Sequence, residues 1–385
     1  MRKLFATFAI LGALTLTGSP IAQAASAKPG ATCSKLGATQ TVVNKKFTCV
    51  KSGKKLVWNK GAAIVAKPAP SQTPIEVAPV INLDNLDKNW TTKVAQAAVL
   101  NKLASLPEAT TSVELISGPN VLESEKALEL ELVKPAPKLF QEYYAPDIFK
   151  IVLFSNMDAD WADEQFAKYG LTYQSVKVSE SIKNFPGQLC NFAGVNLNRE
   201  KIYFECSDSK KSRNVLNYQN PVHEFFHLVE AQMARGSVLG TVPVWMFEGS
   251  AAFFGEIVGY RNQSNPLKTR IDQNLNTSFD FDPDNEGFSQ YRFRSWTKTA
   301  SAAEVTRLFK ILETNRISNG NKYAYYSLGS IATEALVASF GFDGYMKVWT
   351  GLKQGLDFQA SFKQAFGISP DEFYVKLTPF VNAKF

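Results

Sequence analysis

The sequence predicts an α+β protein: a mixed sheet with helices in the first half of one large domain, helices through its second half, and a small β-rich module in front. Three observations carry this. Short β-type runs fall at 148–154, 189–197 and 201–206, and helical apolar spacing marks 88–105, 122–132 and 158–169. Beyond Tyr218-Gln219-Asn220-Pro221 the pattern is mostly helical to the last residue. A composition of 45% hydrophobic and 12% aromatic residues over 385 positions can bury a substantial core, which excludes a disordered chain.

The first 27 residues read as an address. Arg2 and Lys3 precede an apolar run from Leu4 to about Leu16, followed by Gly18, Pro20 and the small-residue triplet Ala22-Gln23-Ala24. That order is a secretory signal peptide, with cleavage expected after Ala24 or Ala27. The mature chain is therefore expected to be secreted, extracellular or held at the cell envelope. No Cys closes the apolar run, so lipid attachment there is not expected, and no later run is long enough to span a bilayer.

Residues 28–61 form a module of their own. They carry eight lysines (28, 35, 45, 46, 51, 54, 55 and 60) and no acid, which accounts for more than the whole net charge of +7. The large domain is mildly acidic by difference, and no nucleic-acid partner follows for it. Strand-like runs at 39–43, 47–50 and 56–58 are separated by turns at Asn44-Lys45-Lys46 and Ser52-Gly53. So short a segment builds little core, and a Cys33–Cys49 disulfide is expected to staple it. Residues 62–83, rich in Pro and Ala, read as an extended linker to a domain at 84–385.

Four cysteines in an exported chain allow three pairings. The local set, Cys33–Cys49 with Cys190–Cys206, needs no long-range coincidence and is favoured. Cys190 and Cys206 would be brought together by a hairpin of the runs 189–197 and 201–206. There is no CxxC or CxxxC spacing of the zinc-binding kind. Gly170 is placed to cap the helix read at 158–169. Residues 84–150 read either as a pro-segment or as an integral part of the domain.

The chemistry concentrates at His223-Glu224-Phe225-Phe226-His227. Residues four apart on a helix lie one turn apart on one face, so both imidazoles can meet one metal ion, with Glu224 beside them. These are the only two histidines in the chain. Two histidines scattered at random would fall four apart in roughly one such chain in two hundred, which weighs against accident. Asn220 and Pro221 are placed to be the cap and first residue of this helix. A catalytic site needs a third ligand, and with no further His it must be a carboxylate or thiolate. Glu230 lies on the same helix as the histidines and cannot converge with them as a ligand. Glu248 interrupts the apolar segment 243–256, where a carboxylate is costly unless paired or metal-bound; a capping or surface position is the alternative.

His223–His227 followed by Trp245-Met246-Phe247-Glu248-Gly249-Ser250-Ala251 resembles the gluzincin metallopeptidases, in particular the peptidase-MA-like group whose second motif reads W-x-x-E-G-x-A. The likeness extends through Tyr325-Tyr326-Ser327-Leu328-Gly329-Ser330, 336–341 and 362–367, covering roughly 200–385. It implies a zincin-like domain in which His223, His227 and Glu248 ligate zinc and Glu224 activates a water. It also implies a tyrosine for the oxyanion: Tyr326, with Tyr323 and Tyr325 as rivals. The run 201–206 resembles the sheet edge along which such enzymes lay an extended substrate. Two departures stand out. Ala252 occupies the place where thermolysin-like members carry an acid, and no downstream His exists. A Gly-x-Met-Glu-Asn motif is also missing, so aminopeptidase specificity is not implied.

The function expected is a zinc-dependent metallopeptidase acting on peptides or proteins. The alternative is a non-catalytic envelope-binding protein on a peptidase-like fold; the presence of Glu224, needed for hydrolysis and not for metal binding, favours the enzyme. A purely structural zinc is disfavoured because no cysteine lies near the motif. The lysines of 28–61 suggest a contact with an anionic cell-envelope polymer.

Overall fold

The computed structural model describes residues 27–42, 45–63, 78–171, 177–184, 192–197, 201–207, 214–235, 240–267, 297–314 and 324–384. The signal peptide, most of the linker and Tyr323 lie outside them. The chain divides into two compact units, Met1–Val77 and Ala78–Phe385.

The first unit is built on four short strands, β1 (Thr39–Val42), β2 (Lys45–Ser52), β3 (Lys55–Trp58) and β4 (Ala62–Ala63). The long strand β2 is the hub, pairing antiparallel with the other three. Ala62 and Ala63, read from sequence as the start of the linker, pair with Lys46 and Lys45 instead. Phe47 and Cys49 alternate inward on β2 and are buried, and Cys49 is bonded to Cys33. All eight lysines are exposed.

In the second unit, β5 (Ser112–Ser117), β6 (Ile148–Ser155), β7 (Phe192–Val195) and β8 (Ile202–Ser207) make one sheet in the order β5-β6-β8-β7. The first two pairings are parallel and β7–β8 is antiparallel, so the sheet is mixed. Burial runs unbroken from Ile151 to Ser155 on β6 and along all of β8, the mark of strands covered on both faces. The hairpin expected here is present, with Phe192 opposite Cys206. One reading is corrected: the strand at 201–206 is interior, and among the described residues β7 and β5 are the edges. Its inner neighbour, β6, lies some fifty residues upstream, a pairing that no local pattern reveals. Cys206 is disulfide-bonded; the Cys190–Cys206 pairing cannot be described further, because Cys190 lies outside the described residues.

Five helices accompany the sheet: α1 (Trp90–Ser105), α2 (Glu123–Val133), α3 (Pro135–Phe140), α4 (Ala159–Tyr169) and α5 (Val178–Asn184). Gly170 closes α4 with φ 63°, as its position suggested. Strand β5 and helices α3 and α5 were not legible in the sequence. Val152, Phe154, Ile202 and Phe204 face Ala162 and Phe166 of α4 on one side of the sheet. Phe149, Ile151 and Tyr203 belong to the main core on the other side.

That main core is helical: α6 (Asn220–Met233), α7 (Val244–Gly259), α8 (Ala302–Thr314), α9 (Ala324–Lys353), α10 (Phe358–Phe366) and α11 (Pro370–Lys384). Within α9, Gly341 alone leaves helical geometry, at φ 74° and ψ 173°, so two helices meet there at a residue without a Cβ. Ala95 and Val99 of α1 are buried in the same core as α6 and α7, and Thr92 donates to the buried Glu334 of α9 at 2.6 Å. Lys384 of α11 pairs with that same carboxylate at 2.9 Å. Residues 84–150 are thus an integral part of this unit. So are Ile81 and Leu83, read as linker and found buried in the core.

Candidate metal centre

Helix α6 presents the two histidines. It starts at Asn220 with Pro221 in its first turn, where a missing N–H costs nothing. Asn220 does not cap it as expected; its side chain donates instead to Glu205 of β8 at 3.4 Å. Phe225 and Phe226 point the other way from the site, into the aromatic core around Phe140, at ring-centre distances of 6.4 and 5.0 Å. Each such buried ring is worth about 1.5–3 kcal/mol. Their burial fixes the rotation of α6 and turns His223 and His227 towards α7.

Helix α7 is apolar on all sides, and every one of its residues except Glu248 is buried. Trp245, one turn before Glu248, donates to the Tyr374 hydroxyl of α11 at 3.0 Å and ties this end of α7 to the C-terminal helix. The Glu248 side chain is 18% exposed and faces the histidines.

Three donor atoms converge. Nε2 of His223 and Nε2 of His227 are 3.1 Å apart, and Oε2 of Glu248 lies 3.5 and 3.4 Å from them. A cation with four ligands at about 2.1 Å in tetrahedral array separates its donors by about 3.4 Å, so this triangle has the size such an ion requires. Electrostatics agree. Nδ1 of His227 donates to Glu230 at 2.7 Å, which leaves a lone pair on its Nε2, aimed at the Glu248 carboxylate. Oε2 of Glu248 is buried and accepts no hydrogen bond from the described residues. Converging lone pairs repel unless a positive charge lies between them. His223, His227 and Glu248 could therefore hold a metal ion.

Without an ion, a proton held on His227 supplies the positive charge between these groups. Burial works to raise the Glu248 carboxyl, but the two imidazoles override it and hold it well below the usual range. Burial works to lower His227, and the Glu248 and Glu230 carboxylates hold it well above its usual value. The pocket is built to stabilise positive charge at this point. Glu224 is raised, by burial first, with the two histidines opposing and Glu248 adding to the rise.

Tyr326 lies beside the donor triangle, its ring centre 5.8 Å from that of His223. Burial, then the Glu248 charge, push its phenol well above the ordinary value, so it stays protonated and can donate. Tyr325 is buried against it, 4.7 Å between ring centres. The approach of α9 depends on two glycines. A Cβ on Gly249 would meet the Gly329 Cα at 2.2 Å, and one on Gly329 would meet the Trp245 carbonyl oxygen at 2.0 Å. Backbone touches backbone here, which brings Tyr326, one turn before Gly329, to the residue preceding Gly249. Two further groups went unread. Phe247 stacks on the His227 ring at 4.1 Å, and Glu230, set aside as a ligand, contacts His227 from behind. The signal for Glu230 was present in its spacing, three residues after His227 on one helix face. Comparison of the chain with protein-family models, curated proteins and solved structures finds no significant match.

Proposed function

We propose that this protein is a zinc-dependent metallopeptidase of gluzincin type, with a zincin-like domain holding zinc through His223, His227 and Glu248. The observation that carries the reading is the donor triangle with Glu224 beside it: two imidazoles and one carboxylate leave a fourth position open, the ligand set of a hydrolytic rather than a structural zinc. Bound zinc would supply Lewis acidity, bringing the pKa of water towards 7 and polarising a carbonyl group.

The remaining steps belong to the chain. Glu224, next to His223 and carrying no metal bond in this arrangement, takes the proton of the attacking water and passes it to the leaving amine. Its raised proton affinity suits both halves of that transfer. Tyr326 donates a hydrogen bond to the oxygen on which charge develops. Antiparallel edge strand β7 offers unpaired backbone groups against which an extended peptide can align. Incubating the purified protein with a diverse peptide library is the test. The expected result is cleavage that a chelator abolishes and added zinc restores. A zinc-loaded protein that cleaves nothing would leave the envelope-binding alternative.

The lysine-rich unit favours a second, separate role: attachment to an anionic envelope polymer. Eight exposed lysines without one acid are the supporting observation. Such a contact weakens as the Debye length falls from about 10 Å at 0.1 M salt to about 3 Å at 1 M. The protein should sediment with cell envelopes at low salt and be released at high salt. Replacing Lys45, Lys46, Lys51, Lys54 and Lys55 by Gln should keep it in the supernatant with unchanged hydrolysis of soluble peptides. Equal sedimentation of both proteins would remove this role.

A further inference from the structure

We propose that Glu230 is the positioning residue of the metal centre, orienting His227 from behind and setting the affinity for the ion. The inference rests on the metal-centre reading above and adds to it a residue that ligates nothing.

Geometry supports it at each step. Glu230 follows His227 by three residues on α6, one turn on and on the same face. Its side chain is completely buried, and Oε2 accepts from Nδ1 of His227 at 2.7 Å. That contact selects the tautomer protonated at Nδ1 and leaves Nε2 free to ligate, while restraining the ring about its Cβ–Cγ bond. Phe247 stacks on the same ring at 4.1 Å, so His227 is held from an edge and a face together. A metal-bound histidine commonly passes its second N–H to a carboxylate, and loss of such a partner weakens metal binding about 10–100-fold.

A structural role predicts a different environment. A buried carboxylate kept for stability would be expected beside a cation, yet among the described residues the charged and polar groups acting on Glu230 are His227 and Glu224 from its own helix, Glu248 from α7 and Tyr345 from α9. Two of these are further carboxylates. Its second oxygen, Oε1, is buried and has no hydrogen-bond partner among the described residues. An apolar residue would fill the position without the cost of burying a carboxylate. Helix α7 offers no substitute one turn beyond Glu248, where residue 252 is alanine. The group at 230 is therefore placed for the ion and at some expense to the metal-free fold.

The experiment compares the full-length native protein with Glu230→Gln and Glu230→Leu. Zinc affinity is measured by chelator competition, cobalt(II) absorption is recorded on substituted protein, and melting temperature is measured without metal. Expected are a 10–100-fold weaker zinc affinity for Glu230→Gln, a larger loss for Glu230→Leu, and an altered cobalt spectrum in both. Metal-free melting temperatures should be equal to or above native. If the native protein binds zinc and Glu230→Gln binds it equally, the proposal is overturned. A lower metal-free melting temperature with unchanged affinity also overturns it and makes Glu230 structural. Failure of the native protein to bind zinc overturns the metal centre itself, and this role with it.

Discussion

Replacing Glu224 by glutamine is expected to leave the zinc content at its native level and to lower peptide hydrolysis by at least about a hundredfold, the scale of a positioned general base. Glutamine matches the shape of Glu224, so the helix and its neighbours His223 and Phe225 have no cause to move. It cannot accept a proton, and the water must then react without a base. Glu224 contributes no atom to the donor triangle of His223, His227 and Glu248. Most of Glu224 is buried beside that triangle, with part of its surface left open for water to reach it. Metal analysis and rate are measured on the same preparation. Loss of zinc in Glu224→Gln would mean that Glu224 is a ligand, and native activity would remove it from the chemistry. Tyr326→Phe in the same assay should also keep its zinc and lose rate, through a missing donor rather than a missing base.

His227→Ala is expected to empty the centre. It removes one vertex of the triangle and leaves Glu230 buried with no partner for either oxygen. Glu248→Ala should do the same from the opposite side, since Glu248 is the α7 residue whose carboxylate joins the two histidines in the donor group. The readout is both elemental and thermal. An ion that binds only the folded chain stabilises it by about 4.1 kcal/mol at a thousand times its dissociation constant. The native protein should therefore melt higher with zinc than with chelator, and the two variants should show no such difference. Full zinc in His227→Ala, or a zinc-dependent melting shift in Glu248→Ala, would overturn the ligand assignment. Should Glu224→Gln lose the ion while Glu248→Ala keeps it, the roles of the two glutamates are exchanged.

What the sequence by itself determined was local. The four-residue spacing of the only two histidines placed them on one face of α6. The apolar segment interrupted by Glu248 identified α7 as a buried helix with a carboxylate set among apolar residues. Alternation and turn chemistry located β6, β8 and the first three strands of the lysine-rich unit, and Gly170 marked the end of α4. These follow from periodicities of 3.6 and 2, which a chain carries in its residue order. Strand β5 escaped because the half-buried run Ser112–Ser117 contains Glu114 and lacks a long apolar signature. Helix α3 escaped because Pro135 and Pro137 in so short a segment read as a break.

Tertiary structure decided the rest. It put β8 inside the sheet and β7 at an edge, through a parallel pairing between distant segments. It drew the linker residues Ile81 and Leu83 and the whole of 84–150 into the main core. It brought Glu248 within 3.5 Å of both imidazoles, set Tyr326 against His223 through the Gly249–Gly329 contact, and turned Glu230 from a rejected ligand into the partner of one. The physical reason is the same in each case. Side-chain direction repeats along an element and is written locally, whereas distance between elements depends on how close two backbones can pack, and that is fixed only when every buried side chain has found its place.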